Sequence, residues 1–262
     1  MISKKRVLVF VVLIAIMLVP AVSAQSLKGM SLNGQTGLIG IPSGRIGWER
    51  TAELGFDLGY HAIFGDNDTA HIPKGSISLF RVGEISFAYD TNGGDDNEDF
   101  IIGGKIQLPT RGTAVAIGGT FQSLQRTGDT ETAQQIYLAA TYPGNFFNMP
   151  AETSLVVGKT FGDRGPGDEA IDFGMGFDLL LFPEIFQGYV HWVNDFSNFS
   201  YSLDAVGAEA GIRGAFNTGI RIDLAANPNL SRYKFVIDAL LTDALDENRT
   251  FGLGLAFGAP IR

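Results

Sequence analysis

The stretch TAELGFDLGYHAIF (51–64) alternates apolar and polar residues with a period of two. One set of alternate positions holds Ala52, Leu54, Phe56, Leu58, Tyr60, Ala62 and Phe64. The other set holds Glu53, Gly55, Asp57, Gly59 and His61. Because a β-strand sends successive side chains to opposite faces, this alternation predicts a strand with one apolar and one polar face. A helix would scatter the same residues around its circumference.

The same period recurs along the chain and predicts about thirteen strands. These are 51–64, 75–82, 84–90, 100–108, 113–123, 135–142, 153–162, 170–181, 185–194, 207–216, 219–227, 233–242 and 250–258. Residues 37–41 are a candidate for a short additional strand. Most of these segments approach the ~9–11 residues that a tilted strand needs to cross a membrane. No helical period lies between them, so crossover helices and a parallel sheet are not expected.

The connections between the predicted strands alternate in length. Short ones are 82–83, 109–112, 183–184 and 217–219, and long polar ones are 65–74, 91–99, 123–134, 162–170 and 195–207. Short turns at one end and long loops at the other are typical of an antiparallel transmembrane β-barrel of the bacterial outer membrane. Single-chain bacterial barrels have an even strand number. The count is therefore twelve if one predicted strand is false, and fourteen if 37–41 pairs with the last strand.

Composition and the N-terminus set the compartment. In residues 1–24, Lys4, Lys5 and Arg6 precede an uncharged run and mostly small residues, which predicts a signal peptide. We expect an N-terminal segment at 25–50 and the barrel at 51–262. No later apolar run reaches the ~20 residues of a membrane-crossing helix. The chain has 28 Asp+Glu against 19 Lys+Arg, which argues against a nucleic-acid partner.

The polar face of the strands carries the candidate functional residues, which are predicted to line the lumen. They are Glu53, Asp57, His61, Lys105, Asp172, Asp178, His191, Glu209, Arg213, Arg221, Asp223, Lys234 and Asp238. Two interpretations stay open: a water-filled lumen whose excess of acids favours cations, or a lumen plugged by paired charges. A turn at Asn217–Gly219 would place Arg213 opposite Asp223 and Ala215 opposite Arg221.

Motifs for chemistry are missing from the sequence. VVGKT (156–160) lacks the first glycine of a phosphate-binding loop, and no G-x-S-x-G occurs. The chain has no cysteine, and His61, His71 and His191 have no metal-type spacing. We therefore expect no enzymatic activity, no cofactor and no metal. The acidic residues Asp66, Asp68, Asp95, Asp96, Glu98 and Asp99 fit either a calcium-binding surface or solvated loops.

Residues 31–61 carry a motif of a known family. Gly37, Leu38, Ile39, Pro42, Ser43 and Arg45 precede a strand with alternate glycines, and this run resembles the opening of the YjbH/GfcD-type outer-membrane proteins linked to exopolysaccharide production. Residues 173–192 show a looser likeness. The resemblance implies a short barrel in the bacterial outer membrane that serves envelope polysaccharide secretion.

The sequence leaves two other functions open, a small porin or solute channel and a structural or adhesive surface protein. The expected partners are outer-membrane lipid and either polysaccharide or small solutes. The sequence does not indicate an oligomeric state.

Overall fold

A computed structural model describes residues 29–49, 52–65, 69–92, 98–126, 129–162, 171–199, 214–247 and 249–261. The predicted signal peptide, 1–24, lies outside these residues. The described chain forms twelve strands: β1 (Leu54–Phe64), β2 (Thr69–Leu79), β3 (Gly83–Asn92), β4 (Glu98–Leu108), β5 (Ala114–Arg126), β6 (Asp129–Phe146), β7 (Met149–Gly162), β8 (Asp172–Leu180), β9 (Val190–Ser197), β10 (Ala215–Asp223), β11 (Lys234–Thr242) and β12 (Thr250–Pro260).

Each strand pairs antiparallel with the next, and β12 pairs with β1, which closes the barrel. The prediction of an all-β antiparallel barrel is therefore confirmed, with the lower even strand number. A short helix, α1 (Pro183–Phe186), lies between β8 and β9, and a 3-10 turn (Leu224–Ala226) follows β10. Among the described residues, no helix has the length and apolar character needed to cross a membrane.

The outer face of the barrel is apolar. Its side chains remain exposed although they are large and hydrophobic, as at Leu58 (53%), Ile136 (62%) and Leu255 (51%). Aromatic rings cluster near both ends, where Phe64 stacks on Phe251 and Phe177 contacts Trp192. Exposing so large a continuous apolar surface to water is unfavourable. In transmembrane barrels, girdles of aromatic residues flank the apolar band. The outer face therefore contacts lipid.

The two ends of the barrel differ in their connections. The short-turn end, where β1 begins and β12 finishes, carries the short connections 80–82, 109–113 and 147–148 and two longer ones, 181–189 with α1 and 224–233 with the 3-10 turn. In bacterial outer-membrane barrels this end faces the periplasm. At the opposite end, called the loop end, the described strands are separated in sequence by residues 65–68, 93–97, 127–128, 163–171, 198–214 and 243–249, of which 198–214 is the longest separation between consecutive strands. The predicted loop 123–134 is wrong, because β5 and β6 extend through most of it.

The predicted turn at Asn217–Gly219 is also wrong. Strand β10 runs through these residues, and Thr218 lies opposite Asn194 of β9 and Leu241 of β11. A Cβ at Gly219 would lie 2.7 Å from Leu240 Cδ2, so this glycine permits close packing inside a strand and makes no turn. The predicted strands 207–216 and 219–227 are thus replaced, within the described residues, by the single strand β10.

The strand register that this turn predicts is therefore wrong as well. Arg221 lies opposite His191 and Asp238, and Asp223 lies opposite Val236. The predicted pairing of Ala215 with Arg221 fails because both residues belong to β10. The predicted partner of Asp223, Arg213, lies outside the described residues.

Two further boundaries differ from prediction. The predicted strand 185–194 begins in α1, where Pro183 occupies a first-turn position of the helix, and β9 starts only at Val190. Residues 37–41 form no strand of the barrel wall. They belong to a turn closed by an isolated bridge between Gly37 and Pro42.

Candidate functional site: the barrel interior

Residues 29–49, called here the inner segment, lie inside the barrel. Every residue from 29 to 48 is buried. Its atoms bond to Glu84 on β3, Glu152 on β7 and Asp195 on β9. Because these strands lie on different sides of the ring, only a position within the lumen brings one short segment to all of them.

The Asp195 carboxylate holds the tip of the inner segment. Its Oδ2 accepts hydrogen bonds from the backbone N–H groups of Ile39 (2.8 Å), Gly40 (2.7 Å) and Ile41 (3.4 Å). Its Oδ1 accepts one from Asn217 Nδ2 at 2.8 Å. Converging amide donors of this kind bind an anion strongly, and bonds to a charged group are worth more than neutral ones.

Glu84 of β3 and Lys105 of β4 bind the inner segment at two places, at Thr36 and at residues 43–47. Glu84 accepts from Thr36 N at 2.7 Å, from Thr36 Oγ1 at 2.6 Å and from Gly47 N at 3.0 Å. Lys105 Nζ lies 3.4 Å from Glu84 and donates to the carbonyls of Thr36 (2.6 Å) and Ser43 (3.1 Å). The wall therefore binds mainly the backbone of the segment.

Arg221 of β10 connects the segment to a chain of charged wall residues. Its guanidinium donates to Asp238 Oδ1 at 2.8 Å and to the carbonyls of Gly37 and Leu38, each at 3.4 Å. On either side of it, His61 Nε2 lies 3.3 Å from Asp238, and His191 Nδ1 lies 2.6 Å from Asp178. The pair of Arg221 with Asp238 balances two charges that burial alone would make costly.

The inner segment also contributes an ion pair of its own. Arg45 donates to Glu152 of β7 and to Glu49, each at 2.9 Å. Burial alone would lower the pKa of the Arg45 guanidinium, but the carboxylates of Glu152 and Glu49 more than offset burial and raise it. Arg45 is therefore charged, and it links the segment to the wall near the short-turn end.

Trp48, near the end of the inner segment, contacts strands β1 and β11. Its Nε1 donates to Asp57 Oδ1 at 3.2 Å, and Lys234 Nζ lies 4.7 Å above the ring. Lys234 also pairs with Asp57 Oδ2 at 3.0 Å. A Cβ at Gly55 would lie 2.5 Å from the indole, so the missing side chain makes room for Trp48.

An apolar core forms between the inner segment and the wall. Leu32, Leu38, Ile39 and Ile41 of the segment are buried almost completely, and they belong to one cluster with side chains of the wall. The wall members are Ile63, Ala70, Ile72, Ala88, Ile101, Tyr137, Ala139, Val156, Val193 and Leu240, and Phe199, which follows β9, also belongs to the cluster. Burying a Leu or Ile side chain stabilises by roughly 1.5–3 kcal/mol. The segment is thus packed as well as hydrogen-bonded.

Glycines on the wall allow this close approach. A Cβ at Gly103 of β4 would lie 2.3 Å from Gln35 Nε2, and one at Gly174 of β8 would lie 2.9 Å from Ile41 Cγ2. Gln35 in turn accepts a hydrogen bond from Tyr137 Oη at 2.5 Å. The high glycine content on the inward face therefore has a packing reason.

A cavity of about 520 Å³ remains next to Arg45. It is lined by Arg45, Glu49, Val82, Gln107, Leu108, Pro109, Thr110, Gly112, Thr113, Ala114 and Pro143, and it is partly open to the outside. Several of these residues belong to the connections 80–82 and 109–113. The cavity is therefore a vestibule at the short-turn end, between the inner segment and the wall.

The predicted lumen residues fall into four groups. Glu53 is exposed just before β1, and Glu209 and Arg213 lie outside the described residues. His191 is half-buried beside Asp178. The structure places the rest in the barrel interior, as the buried residues Asp57, His61, Lys105, Asp172, Asp178, Arg221, Asp223, Lys234 and Asp238.

Several residues that hold the inner segment are absent from the predicted set. Lys74, which donates to Ser31 O at 2.7 Å, lies in the predicted loop 65–74, and Asp195 lies in the predicted loop 195–207. Glu84 and Glu152 lie at or just before the start of predicted strands. A signal was present, because Lys74, Ser76 and Ser78 continue one inward series with period two.

The described residues contain no group of three or more His, Asp or Glu side chains placed to hold a metal ion. Of the acidic residues considered for calcium, Glu98 and Asp99 belong to β4, and Asp99 accepts a hydrogen bond from Gln122. Asp66, Asp68, Asp95 and Asp96 lie outside the described residues.

Two solved structures with a similar fold are porins. The KdgM porin aligns with a TM-score of 0.51 and 7% identity over 79% of this chain and 99% of its own. The NanC porin aligns with a TM-score of 0.53 and 8% identity over 79% and 100%. One further match is described as KdgM in complex with disordered oligogalacturonate. No protein-family model and no curated protein sequence matches the chain.

The closed barrel, its lipid-facing belt and its porin fold define the class: this chain is a β-barrel protein of the bacterial outer membrane. The resemblance to YjbH/GfcD-type proteins is wrong, because the similar structures are small porins. The residues that suggested it have a different explanation in this chain. Gly37, Leu38 and Ile39 lie in the lumen, bound to Arg221 and Asp195.

Proposed function

We propose that this protein is a small solute channel whose passage is closed by its own inner segment. The observation that supports it is the chemistry of the lumen wall. Charged side chains from many strands bind the segment mainly through its backbone, and water can replace such bonds when the segment moves. A barrel that was always solid could hold apolar side chains here at a lower desolvation cost.

Opening requires an input of free energy. Exposing Leu32, Leu38, Ile39 and Ile41 to water costs roughly 1.5–3 kcal/mol each. Spontaneous displacement of the whole segment is therefore rare, and the channel conducts in infrequent openings. The vestibule beside Arg45 reaches the segment from the short-turn end, so a solute or partner can act on it there.

A second candidate is a closed barrel with a structural role. The apolar core between segment and wall favours it, because such packing rigidifies the interior. The two candidates differ in one measurable property, which is ion conductance after the segment is loosened.

The test measures the full-length protein in planar lipid bilayers. Leu38→Ser combined with Ile39→Ser removes buried apolar groups from the segment, at a cost of roughly 2–5 kcal/mol for each such truncation. We expect longer and more frequent openings than in the unmodified protein. A gel shift between folded and boiled samples checks that both barrels are assembled.

A disulfide supplies the matched control. Ile41 Cγ2 lies 2.9 Å from the position of a Cβ at Gly174, so the two Cβ atoms of Ile41→Cys and Gly174→Cys lie no more than about 4.4 Å apart. The chain has no other cysteine. In the loosened variant, oxidation of this pair should abolish the openings, and a reductant should restore them. A folded loosened variant without conductance would refute the channel and support the structural role.

The solute is a separate question from the passage. The oligogalacturonate is bound in the KdgM structure and is not proposed as a solute of this chain. For this chain we propose only that a solute passes through the lumen. No role in polysaccharide secretion is proposed.

A further inference from the structure

The charge on the lumen wall is unequal. The described strands bury ten carboxylates: Asp57, Glu84, Asp90, Asp99, Glu152, Asp172, Asp178, Asp195, Asp223 and Asp238. They bury four Lys or Arg: Lys74, Lys105, Arg221 and Lys234. Protonation of both His61 and His191 would still leave the acids in excess. The segment's own Arg45 and Glu49 cancel each other.

Part of this negative charge is now bound by neutral groups. Asp195 accepts from three backbone amides, and Glu84 accepts from two amides and a hydroxyl. Asp172 accepts from Gln135 Nε2 at 2.8 Å and from Thr160 Oγ1 at 2.6 Å. Neutral donors stabilise a carboxylate without cancelling its charge. When the segment moves, water replaces the donors that the segment supplies to Asp195 and Glu84, while Asp172 keeps its donors on the wall. The negative charge of these carboxylates then acts on whatever enters the lumen.

From this imbalance we infer that the open lumen passes cations in preference to anions, so that its substrates are cationic or neutral solutes. The inference rests on the proposed channel function and names its substrate class. A wall charge acts over about a Debye length, ~8 Å at physiological ionic strength, and rings of carboxylates select for cations in a pore.

The experiment measures the reversal potential of the full-length Leu38→Ser/Ile39→Ser variant in a KCl gradient. A reversal potential reports only on open channels, so it does not depend on how often the segment moves. We expect potassium to permeate several-fold better than chloride. Adding Asp195→Asn or Glu84→Gln should reduce this preference, whereas adding Lys105→Gln should increase it.

Glu53→Gln is the matched control, because it removes one negative charge from a solvent-exposed position just before β1 that does not contact the inner segment in any described hydrogen bond or ion pair. It should leave the reversal potential unchanged. Equal permeability, or a preference for chloride, would overturn the selectivity while leaving the channel in place. A change as large for Glu53→Gln as for Glu84→Gln would also overturn it. A folded variant that carries no current would refute the channel itself and the selectivity with it.

Discussion

The two faces of the barrel wall are built by the same strands, yet they follow different rules. On β12 the outward residues Phe251, Leu253, Leu255 and Phe257 are each about half exposed to a single apolar surrounding. On the inward side, a Cβ at Gly254 would lie 2.2 Å from His61 Nε2, and one at Gly258 would lie 2.0 Å from Asp57 Oδ1. The outward face needs only the right polarity, whereas the inward face needs the right shape at each position.

The largest effect is expected on the outward face. Leu255→Arg should impair assembly, at a cost of roughly 2–4 kcal/mol for a charge near the bilayer midplane. Leu255→Met, which keeps the polarity, should assemble normally. The measurement is the folded fraction in the gel shift, together with denaturant unfolding in lipid. Equal folding of the two variants would mean that this residue does not face lipid.

Gly254, the neighbour of Leu255 on β12, faces the lumen. The alternation alone predicts that Gly254→Ser is milder than Leu255→Arg, since a small polar side chain would face the lumen. The structure adds that the new Cβ must displace the His61 ring. We therefore expect Gly254→Ser to assemble but to weaken the contact between His61 and Asp238.

An intermediate effect is expected where the wall holds the inner segment. Asp195→Ala leaves the amides of Ile39, Gly40 and Ile41 without their acceptor, and a buried unsatisfied donor costs roughly 1–3 kcal/mol. Hydrogen exchange at residues 39–41 should accelerate while the wall strands stay protected. Asp172→Ala is the control, because Asp172 bonds to Gln135 and Thr160 of the wall. Equal acceleration in both variants would contradict the assigned role of Asp195.

The smallest effect on stability is expected when each of the two tryptophans is replaced by phenylalanine in a separate variant. Trp48→Phe removes the hydrogen bond to Asp57, but the Asp57 carboxylate keeps its ion pair with Lys234, so we expect only a small loss of stability. Fluorescence then compares the two faces directly. Brominated lipid should quench the remaining Trp192, which is 39% exposed on the outer face, in the Trp48→Phe protein. It should leave Trp48 unquenched in the Trp192→Phe protein, and quenching there would place the inner segment elsewhere.

The period of two predicted most of the wall. It placed apolar residues such as Leu58 and Leu255 outward, and its strands match eleven of the twelve observed ones with shifts of a few residues at the ends. The prediction is wrong at Asn217–Gly219. These residue types favour a turn, although the residues on both sides alternate as in a strand. Only the pairing with β9 and β11 shows that these residues belong to a strand.

The period of two does not predict where the inner segment lies. The sequence predicts no more here than a short strand at 37–41, which the structure does not form, and a family motif at Gly37–Arg45, which is wrong. The position of the segment depends on groups far along the chain: the bond between Gly40 and Asp195 joins residues 155 apart. No local pattern encodes such a partner.

Sequence alone therefore determined which side of the wall most residues occupy, because the face of a strand residue depends only on neighbours two positions away. The tertiary structure decided the closure at twelve strands, the partner of each buried charge and the position of the inner segment. These properties depend on distances between residues that are remote in sequence, and they exist only after the barrel has closed around residues 29–49.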